Sequence, residues 1–286
     1  MKQNKDNIYG IDIDKAWNIL YQRLEKDELL IDESKYKPKE RRKTLLTWIA
    51  AVAAVFIGII FSIFYFSRID DNSLIVKQNM ENSGTLVTTL EDGSIVYLAH
   101  NASISYPTAF AKNQRKVELN GNALFCVTKD EKRPFVVKAN GITIEVVGTI
   151  FAVQSSSDNS FELSVKQGKV NVHSNDNQAN VSVEAGETVQ LTKSGLSKSG
   201  IANCQVFNRY TDKMCFKDEK LNHIIHAINT SSNSQNIVID ESLNNRTLTV
   251  TFENDSVETM VELICLALNL EKINKQDTIF IRQALK

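Results

Sequence analysis

Residues 38–71, PKERRKTLLTWIAAVAAVFIGIIFSIFYFSRIDD, run from a dense basic patch through an apolar segment to two aspartates. No charged side chain occurs between Lys43 and Arg68. A helix over this interval would be about 36 Å long, which is enough to cross the roughly 30 Å hydrocarbon core of a bilayer. A buried core helix of this length usually carries a polar face. The stretch therefore predicts a transmembrane helix over 45–66.

The charges on either side of this segment indicate its orientation. The basic residues before it are Lys35, Lys37, Lys39, Arg41, Arg42 and Lys43, whereas Arg68 is followed at once by Asp70 and Asp71. Positive charge stays on the cytoplasmic side of a membrane. The apolar run also begins too late and is too long for a cleavable signal peptide. We therefore expect an uncleaved anchor, with residues 1–44 in the cytoplasm and the larger C-terminal part on the far side.

The short segment before the anchor has the periodicity of an amphipathic helix. Within residues 11–30, IDIDKAWNILYQRLEKDELL, the large apolar residues of one face are Ile13, Trp17, Leu20, Tyr21 and Leu24, and Asp12 can cap the helix. A segment of fewer than about 40 residues seldom folds alone, so this face should pack on a membrane, a second copy or another protein. Because no Lys/Arg-rich border flanks the face, a partner protein is favoured. The alternative is a marginal helix without a partner.

Composition and cysteine usage exclude several other classes of protein. A formal net charge of −1 over 286 residues does not indicate a nucleic-acid-binding protein. The four cysteines, Cys126, Cys204, Cys215 and Cys265, form no CxxC and no zinc-type spacing. Cys204 and Cys215 are the pair nearest in sequence for a disulfide in an oxidising compartment. Cys126 and Cys265 lie in apolar patterns, which favours buried free thiols.

From about residue 84 the apolar period changes to two. The segments FELSV and KVNVH alternate on either side of Gln167 and Gly168, which is a hairpin pattern. Further short alternating segments are separated by Gly, Asn and Asp. These signals predict an all-β, sandwich-like or solenoid-like domain over 84–195, joined to the membrane helix by a linker over 67–83.

A third pattern occupies residues 208–286. Two helical stripes, Leu221/Ile224/Ile225/Ile228 and Val257/Met260/Val261/Ile264/Leu268, are interspersed with short strand signals. In TLTVTFE, residues 247–253, Leu248, Val250 and Phe252 share one face. The order β-α-β-β-α-β predicts an α+β domain, with a small sheet that carries two helices on one face, the split βαβ arrangement.

No constellation of residues indicates catalysis. His223 and His226 are three residues apart on a predicted helix, but no third ligand has matching spacing, so solvent-facing histidines are the preferred interpretation. The motifs of α/β-hydrolases, P-loop proteins and zinc proteases do not occur in the chain. We therefore expect neither an enzyme nor a cofactor or metal site.

Several short motifs stand in one order along the β region. They are DGS at 92–94, YPTAF at 106–110, RKVELNGNALFCV at 115–127, RPF at 133–135, GTIFAV at 148–153, GKV at 168–170 and AGE at 185–187. In this order and spacing, over roughly 80–192, the chain resembles the FecR family of transmembrane anti-sigma regulators. Leu124 and Cys126 depart from the Phe and Glu that the family often has, and Ala185 stands where many members have Pro.

The resemblance carries expectations about function. It implies a single-pass protein of the bacterial inner (cytoplasmic) membrane, whose helix at Ile13, Trp17, Leu20, Tyr21 and Leu24 binds an extracytoplasmic-function sigma factor. Residues 210–283 resemble the secretin/TonB short N-terminal domain. By this resemblance the periplasmic part relays the state of a TonB-dependent outer-membrane receptor, which we expect to bind at Leu248, Val250 and Phe252. Signalling through an intramembrane protease is a further option that the family suggests.

Two alternatives accompany these expectations. The chain could instead be a membrane-anchored periplasmic scaffold or carbohydrate-binding protein, in which the cytoplasmic segment is only an anchor.

Within the motifs, the glycines at 93, 121, 148, 168 and 186 are interpreted as turn residues rather than ligand contacts. Arg115 and Arg133 are expected to pair with acidic side chains or carbonyl groups of the β framework.

Overall fold

A computed structural model describes residues 13–27, 48, 53–62, 73–80, 84–155, 160–174, 179–200, 205–232 and 235–284. The chain divides into two compact units, Met1–Asp70 and Asp71–Lys286. In the first unit, α1 spans Ile13–Lys26 and residues 53–62 are also helical. Within the described residues, no helix combines the length and the apolar character that a membrane crossing requires. Half of the predicted transmembrane segment, 45–66, lies outside the described residues, so it stays a prediction.

Sheet A forms one outer layer of the second unit. Its strands, in spatial order, are β1 (Leu74–Gln78), β4 (Ser103–Pro107), β5 (Arg115–Asn120), β7 (Phe135–Ala139), β8 (Ile142–Val146), β11 (Lys169–Ser174) and β12 (Asn180–Glu184). Only β5 and β7 pair in parallel in this sheet, as far as it is described. Buried and exposed residues alternate along its central strands, because one face packs on the core and the other meets solvent.

Sheet B lies against sheet A and has more strands, nine against seven. Its spatial order is β14 (Gly195–Ser199), β13 (Thr188–Thr192), β10 (Phe161–Gln167), β9 (Ile150–Ser155), β6 (Ala123–Cys126), β3 (Ile95–Leu98), β2 (Thr85–Thr89), β15 (Lys213–Lys220) and β17 (Thr247–Glu253). Two facing sheets confirm the sandwich form of the predicted β fold. Between the sheets, the rings of Phe125 and Phe151 stack at 5.1 Å, and Phe135 meets Phe125 edge-on at 6.2 Å.

The other face of sheet B is buried as well. Val87, Ile95, Tyr97 and Leu124 belong to a second apolar cluster, away from the sandwich interior. Strand β3 is therefore buried at every residue, although a strand with one solvated face would alternate. The burial also raises the pKa of Tyr97 above its usual range.

Helices and a third sheet cover that second face. The helices are α2 (Gln205–Thr211), α3 (Leu221–Ser231) and α4 (Val257–Leu268), and a 3-10 turn spans Glu241–Leu243. Sheet C has the order β16 (Asn236–Ile239), β19 (Thr278–Gln283) and β18 (Leu270–Lys275). Ile237, Ile279 and Ile281 of sheet C join the same cluster as the buried faces of α3 and α4. The second unit is therefore layered as sheet A, sheet B, helices and sheet C.

The predicted element order of the C-terminal region occurs, but the predicted single small sheet is wrong. Strands β15 and β17 pair with each other and extend sheet B through a parallel contact of β15 with β2, whereas β16, β18 and β19 form sheet C. The cause is the width of the buried helical faces, since Ile225 and Ala227 of α3 are both buried although they lie on different sides of the helix. Such helices need apolar cover from two directions. The predicted domain boundaries stay predictions, although β1, within the predicted linker 67–83, is a strand of sheet A.

Candidate functional site

Helix α1 displays the apolar face that the sequence predicts for partner binding. Trp17 and Tyr21 are each 59% exposed and Leu20 is 46% exposed, whereas Leu24 is half-buried. Ile13 begins the helix. Asp14 in the first turn and Arg23 in the last turn complement the helix dipole, which supports helix formation in so short a segment. The role of the five predicted sigma-binding residues stays a prediction.

Strand β17 forms an open edge of sheet B. Among the described strands it pairs only with β15. The amide of Asn254 donates to the carbonyl of Asp212, and the carbonyl of Arg246 accepts from the amide of Leu221. Because backbone groups in an antiparallel strand alternate in direction, even-numbered residues of β17 face β15. The N–H and C=O groups of Thr249 and its odd-numbered neighbours therefore point away from the sheet.

The three side chains predicted to bind a transducer differ in accessibility. Leu248 and Val250 are half-buried against the second apolar cluster. Phe252 is 1% exposed, and its ring packs edge-on against Phe216 at 6.0 Å. The prediction that Phe252 offers a surface contact is therefore corrected, because the period-two pattern marks the buried face of β17. The open backbone edge and the threonine side chains are what β17 presents.

Arg115 is the most thoroughly enclosed charge in the described part of the β framework. Its Nη1 donates to Asp92 Oδ2 at 2.7 Å and to the carbonyl of Thr128 at 2.8 Å, and its Nε donates to the carbonyl of Arg133 at 2.8 Å. The guanidinium carbon lies 5.4 Å from the centre of the Phe135 ring. The side chain itself is fully buried. The arginine therefore joins its own motif to the DGS and RPF motifs and is not available to a ligand.

Asp92 receives further hydrogen bonds from its own turn. The backbone N–H and the hydroxyl of Ser94 donate to its two carboxylate oxygens at 3.0 Å and 2.7 Å. The Ser94 hydroxyl in turn accepts from the backbone N–H of Thr128 at 3.1 Å. The DGS motif is thus a structural turn that positions a buried carboxylate for Arg115.

Arg133 has a partner of the predicted kind too. Its Nε donates to Asp130 Oδ2 at 2.8 Å, while Asp130 Oδ1 accepts from the backbone N–H groups of Lys132 and Arg133. The hydrogen bond from Arg133 lowers the pKa of the Asp130 carboxyl. The prediction that Arg115 and Arg133 pair with framework acids and carbonyls is confirmed.

The two helical histidines have partners that the sequence did not indicate. His223 Nδ1 lies 2.7 Å from Glu219 Oε1, and the hydroxyl of Thr88 donates to Glu219 Oε2 at 3.3 Å. His226 Nε2 lies 3.0 Å from the carbonyl oxygen of Gly93. These contacts join α3 to the sandwich. His226 is exposed, as the sequence predicts, whereas His223 is half-buried. The described residues contain no group of His, Cys, Asp and Glu side chains suited to a metal.

The cysteines that the structure describes are free thiols. Cys215 and Cys265 are buried and Cys126 is half-buried. Burial raises the pKa of Cys126 to about 11, so this thiol is neutral at physiological pH. Cys204, one member of the predicted disulfide, lies outside the described residues.

Comparison with known proteins identifies part of the chain. Residues 79–171 match the family model described as FecR protein. Two crystal structures of a candidate anti-sigma factor from Parabacteroides distasonis ATCC 8503, at 2.50 and 1.65 Å resolution, share 23% and 22% sequence identity with the chain. Each comparison has a TM-score of 0.45 and covers 74% of this chain and 100% of that one. No curated protein matches the chain significantly. The match to the family model confirms the resemblance inferred from the ordered motifs for residues 79–171, which form a FecR-like domain.

Proposed function

We propose that this chain is a single-pass anti-sigma regulator of the bacterial inner membrane. Its α1 helix binds an extracytoplasmic-function sigma factor in the cytoplasm, and its β-rich unit senses a TonB-dependent outer-membrane receptor in the periplasm. The observation that carries the proposal is the exposed face of Trp17, Leu20 and Tyr21 in a chain that also contains a FecR-like domain. A helix that presents large apolar side chains to solvent gains free energy when a hydrophobic groove covers them.

The side chains of the described helical stretch 53–62 support a transmembrane anchor. Val55, Phe56, Ile57, Ile60 and Phe61 are all exposed, and they fall on several sides of the helix. A helix that is apolar all round needs an apolar environment on every side, which a bilayer provides. The basic residues before the segment favour a cytoplasmic N-terminus. Regulated proteolysis in the membrane is one route by which a periplasmic signal would release the sigma factor.

The open edge of β17 supports the periplasmic half of the proposal. An added strand from a receptor domain would find unpaired backbone groups at Thr249 and Thr251, which are both exposed residues. Binding at this edge would act on β15, which joins the C-terminal region to β2 of the FecR-like domain. Two partners that each prefer one of two states of the chain would then be coupled through it.

Capture of a sigma factor tests the cytoplasmic half. The full chain in detergent is immobilised and exposed to a lysate of its own cell type, and bound proteins are identified by mass spectrometry. We expect one sigma factor to bind the wild type and to be lost with Trp17→Ala/Leu20→Ala. Ile19→Ala is the matched control, because Ile19 is 53% exposed but lies off the apolar face. Equal capture by all three chains, or capture of no sigma factor, overturns the proposal.

Substitution of the open edge tests the periplasmic half. Thr251→Pro removes an outward N–H group without breaking a backbone hydrogen bond to β15, since edge strands accept proline at such positions. The hydroxyl of Thr251, which donates to Cys215 Sγ at 3.3 Å, is lost in Thr251→Pro and in Thr251→Ala alike. We expect the purified signalling domain of the receptor to bind Thr251→Pro at least about tenfold more weakly, a loss of about 1.4 kcal/mol. Thr251→Ala, which keeps the N–H group, should bind as the wild type does. Equal binding of the proline variant would exclude the edge as the contact.

One surface favours the alternative function of a carbohydrate-binding protein. A groove of about 510 Å³ on sheet A is lined by Ser103, Ser105, Glu118, Asn120 and Lys138, among others. Hydroxyl, amide and charged side chains of this kind can hydrogen-bond a polar ligand such as a glycan. If the capture experiment yields no sigma factor, binding of glycans to this groove, with Asn120→Ala as the test variant, is the next measurement.

A further inference from the structure

Strand β1 is an open edge of sheet A, and its exposed side chains are uncharged. It pairs with β4 on one side and with no other described strand. Leu74 is 66% exposed and Val76 is 64% exposed, while Ile75 between them packs against the core of the sandwich. Exposed apolar edge strands are uncommon in soluble proteins, because they recruit further strands.

The edge is held firmly in an extended conformation. At one end the amide of Thr108 donates to the carbonyl of Ser73 at 3.0 Å, and at the other the amide of Asn79 donates to the carbonyl of Ala102 at 2.9 Å. The Asn79 side chain also donates to the carbonyl groups of Gly84 and Leu98. The strand is therefore preorganised for pairing, which lowers the conformational entropy that a partner strand must overcome.

These two end contacts also show which backbone groups are open. Ser73 and Asn79 are both odd-numbered and both bond across to the β4 side. Because the direction of backbone groups alternates in an antiparallel ladder, the N–H and C=O groups of Leu74, Val76 and Gln78 point away from β4. The open donors and acceptors thus belong to three residues placed symmetrically about Val76.

We propose that β1 pairs with β1 of a second copy of this chain, antiparallel and with the two-fold axis at Val76. In this register Val76 faces Val76 and Leu74 faces Gln78, so every open N–H group meets an open C=O group. The only charge of the strand, Lys77, stands opposite Ile75 and not opposite its own copy. Sheet A would then continue from one copy into the next, an isologous interface of the kind that C2 dimers have.

Apart from β17, the open edge proposed above for a receptor domain, the other described edges fit a second copy less well. Edge strand β18 carries Glu271, Lys272 and Lys275, and charges of this kind discourage pairing. At the far end of the sandwich, Lys198 of β14 donates to the carbonyl of Ser182 in β12, and its charge discourages pairing at that edge. Strand β16 has only four residues. Among these edges, β1 is therefore the most suitable for a second copy.

Cysteine cross-linking of the full chain in detergent tests the register. Opposed residues in a hydrogen-bonded antiparallel pair have Cα atoms about 5.5 Å apart, which a disulfide can bridge. Val76→Cys should therefore give at least about tenfold more disulfide-linked dimer than Leu74→Cys, whose copies would lie roughly 14 Å apart. Mixing Leu74→Cys with Gln78→Cys chains should restore the cross-link. The unsubstituted chain measures the background from the native cysteines.

A second variant tests the interface without a covalent bond. Val76→Pro removes the central outward N–H group from both copies, whereas Val76→Ala keeps it. We expect sedimentation of the full chain in detergent to show loss of the dimer for Val76→Pro and a retained dimer for Val76→Ala. Equal cross-linking of Val76→Cys and Leu74→Cys, or a dimer that persists in Val76→Pro, overturns the proposal. A monomeric wild type that binds lipid vesicles through Leu74 and Val76 overturns it as well.

Discussion

The guanidinium of Arg115 lies 2.7 Å from the carboxylate of Asp92, and the two side chains are 0% and 3% exposed. This buried ion pair joins the turn of the DGS motif to the start of β5. The carbonyl group of Thr128 also accepts a hydrogen bond from Arg115, and the Ser94 hydroxyl donates a further one to Asp92. A buried charge that loses its partner has no water to replace it, so this pair should respond strongly to single substitutions.

Asp92→Asn should lower the free energy of unfolding of the β-rich unit by about 3–5 kcal/mol, because Arg115 is left buried without its counter-charge. Pulse proteolysis of the full chain in urea and detergent measures the change. The control is Glu118→Gln, since the Lys116–Glu118 pair is 43% and 59% exposed, and it should change the stability by about 1 kcal/mol or less. Similar effects of the two substitutions would mean that the buried pair contributes no more than a surface pair.

Gly84 allows β15 to approach β2. Its φ is +127°, and a Cβ atom there would lie 2.8 Å from the carbonyl oxygen of Lys213. Gly84→Ala should therefore lower the free energy of unfolding by about 2–4 kcal/mol, by strain and by steric conflict together. Gly141→Ala is the matched control, because its φ is +74° but nothing lies within 4 Å of an added Cβ. Equal losses in pulse proteolysis would show that the close approach has no cost of its own.

The raised pKa of Cys126 predicts a loss of stability at high pH. The fold favours the neutral thiol, whose pKa rises from 9.0 to about 11. The contribution to stability is therefore complete below pH 9 and declines as the pH rises towards 11, because only the unfolded chain ionises readily there. Wild type should lose more stability than Cys126→Ala between pH 9 and 11, as measured by pulse proteolysis at several pH values. Parallel pH profiles of the two proteins would contradict the assignment.

Much of the β framework could be predicted from short-range patterns. The alternating segments and the ordered motifs around Asp92, Arg115 and Arg133 indicate strands, turns and charge pairs, because each depends on neighbouring residues or on one family resemblance. Apolar periodicity likewise placed α1 and its exposed face. These features were accessible because local chemistry determines them.

The remaining features depend on contacts between distant segments. The pattern of residues 247–253 shows that Leu248, Val250 and Phe252 share a face, but it does not show that the face is buried beneath helices. The parallel contact of β15 with β2 and the Glu219–His223 pair likewise arise only when two regions pack together. No local signal marks such pairings, so the division of the C-terminal strands between two sheets was missed.

Site-specific photo-cross-linking along α1 in living cells tests the central claim most directly. A photoreactive residue is placed at position 17, 20 or 24 on the apolar face, or at Gln22 on the opposite, exposed face. We predict cross-links to one sigma factor from the first three positions and none from Gln22. Cross-links to no sigma factor, or equally strong ones from Gln22, would contradict the assignment of α1 as the sigma-binding element.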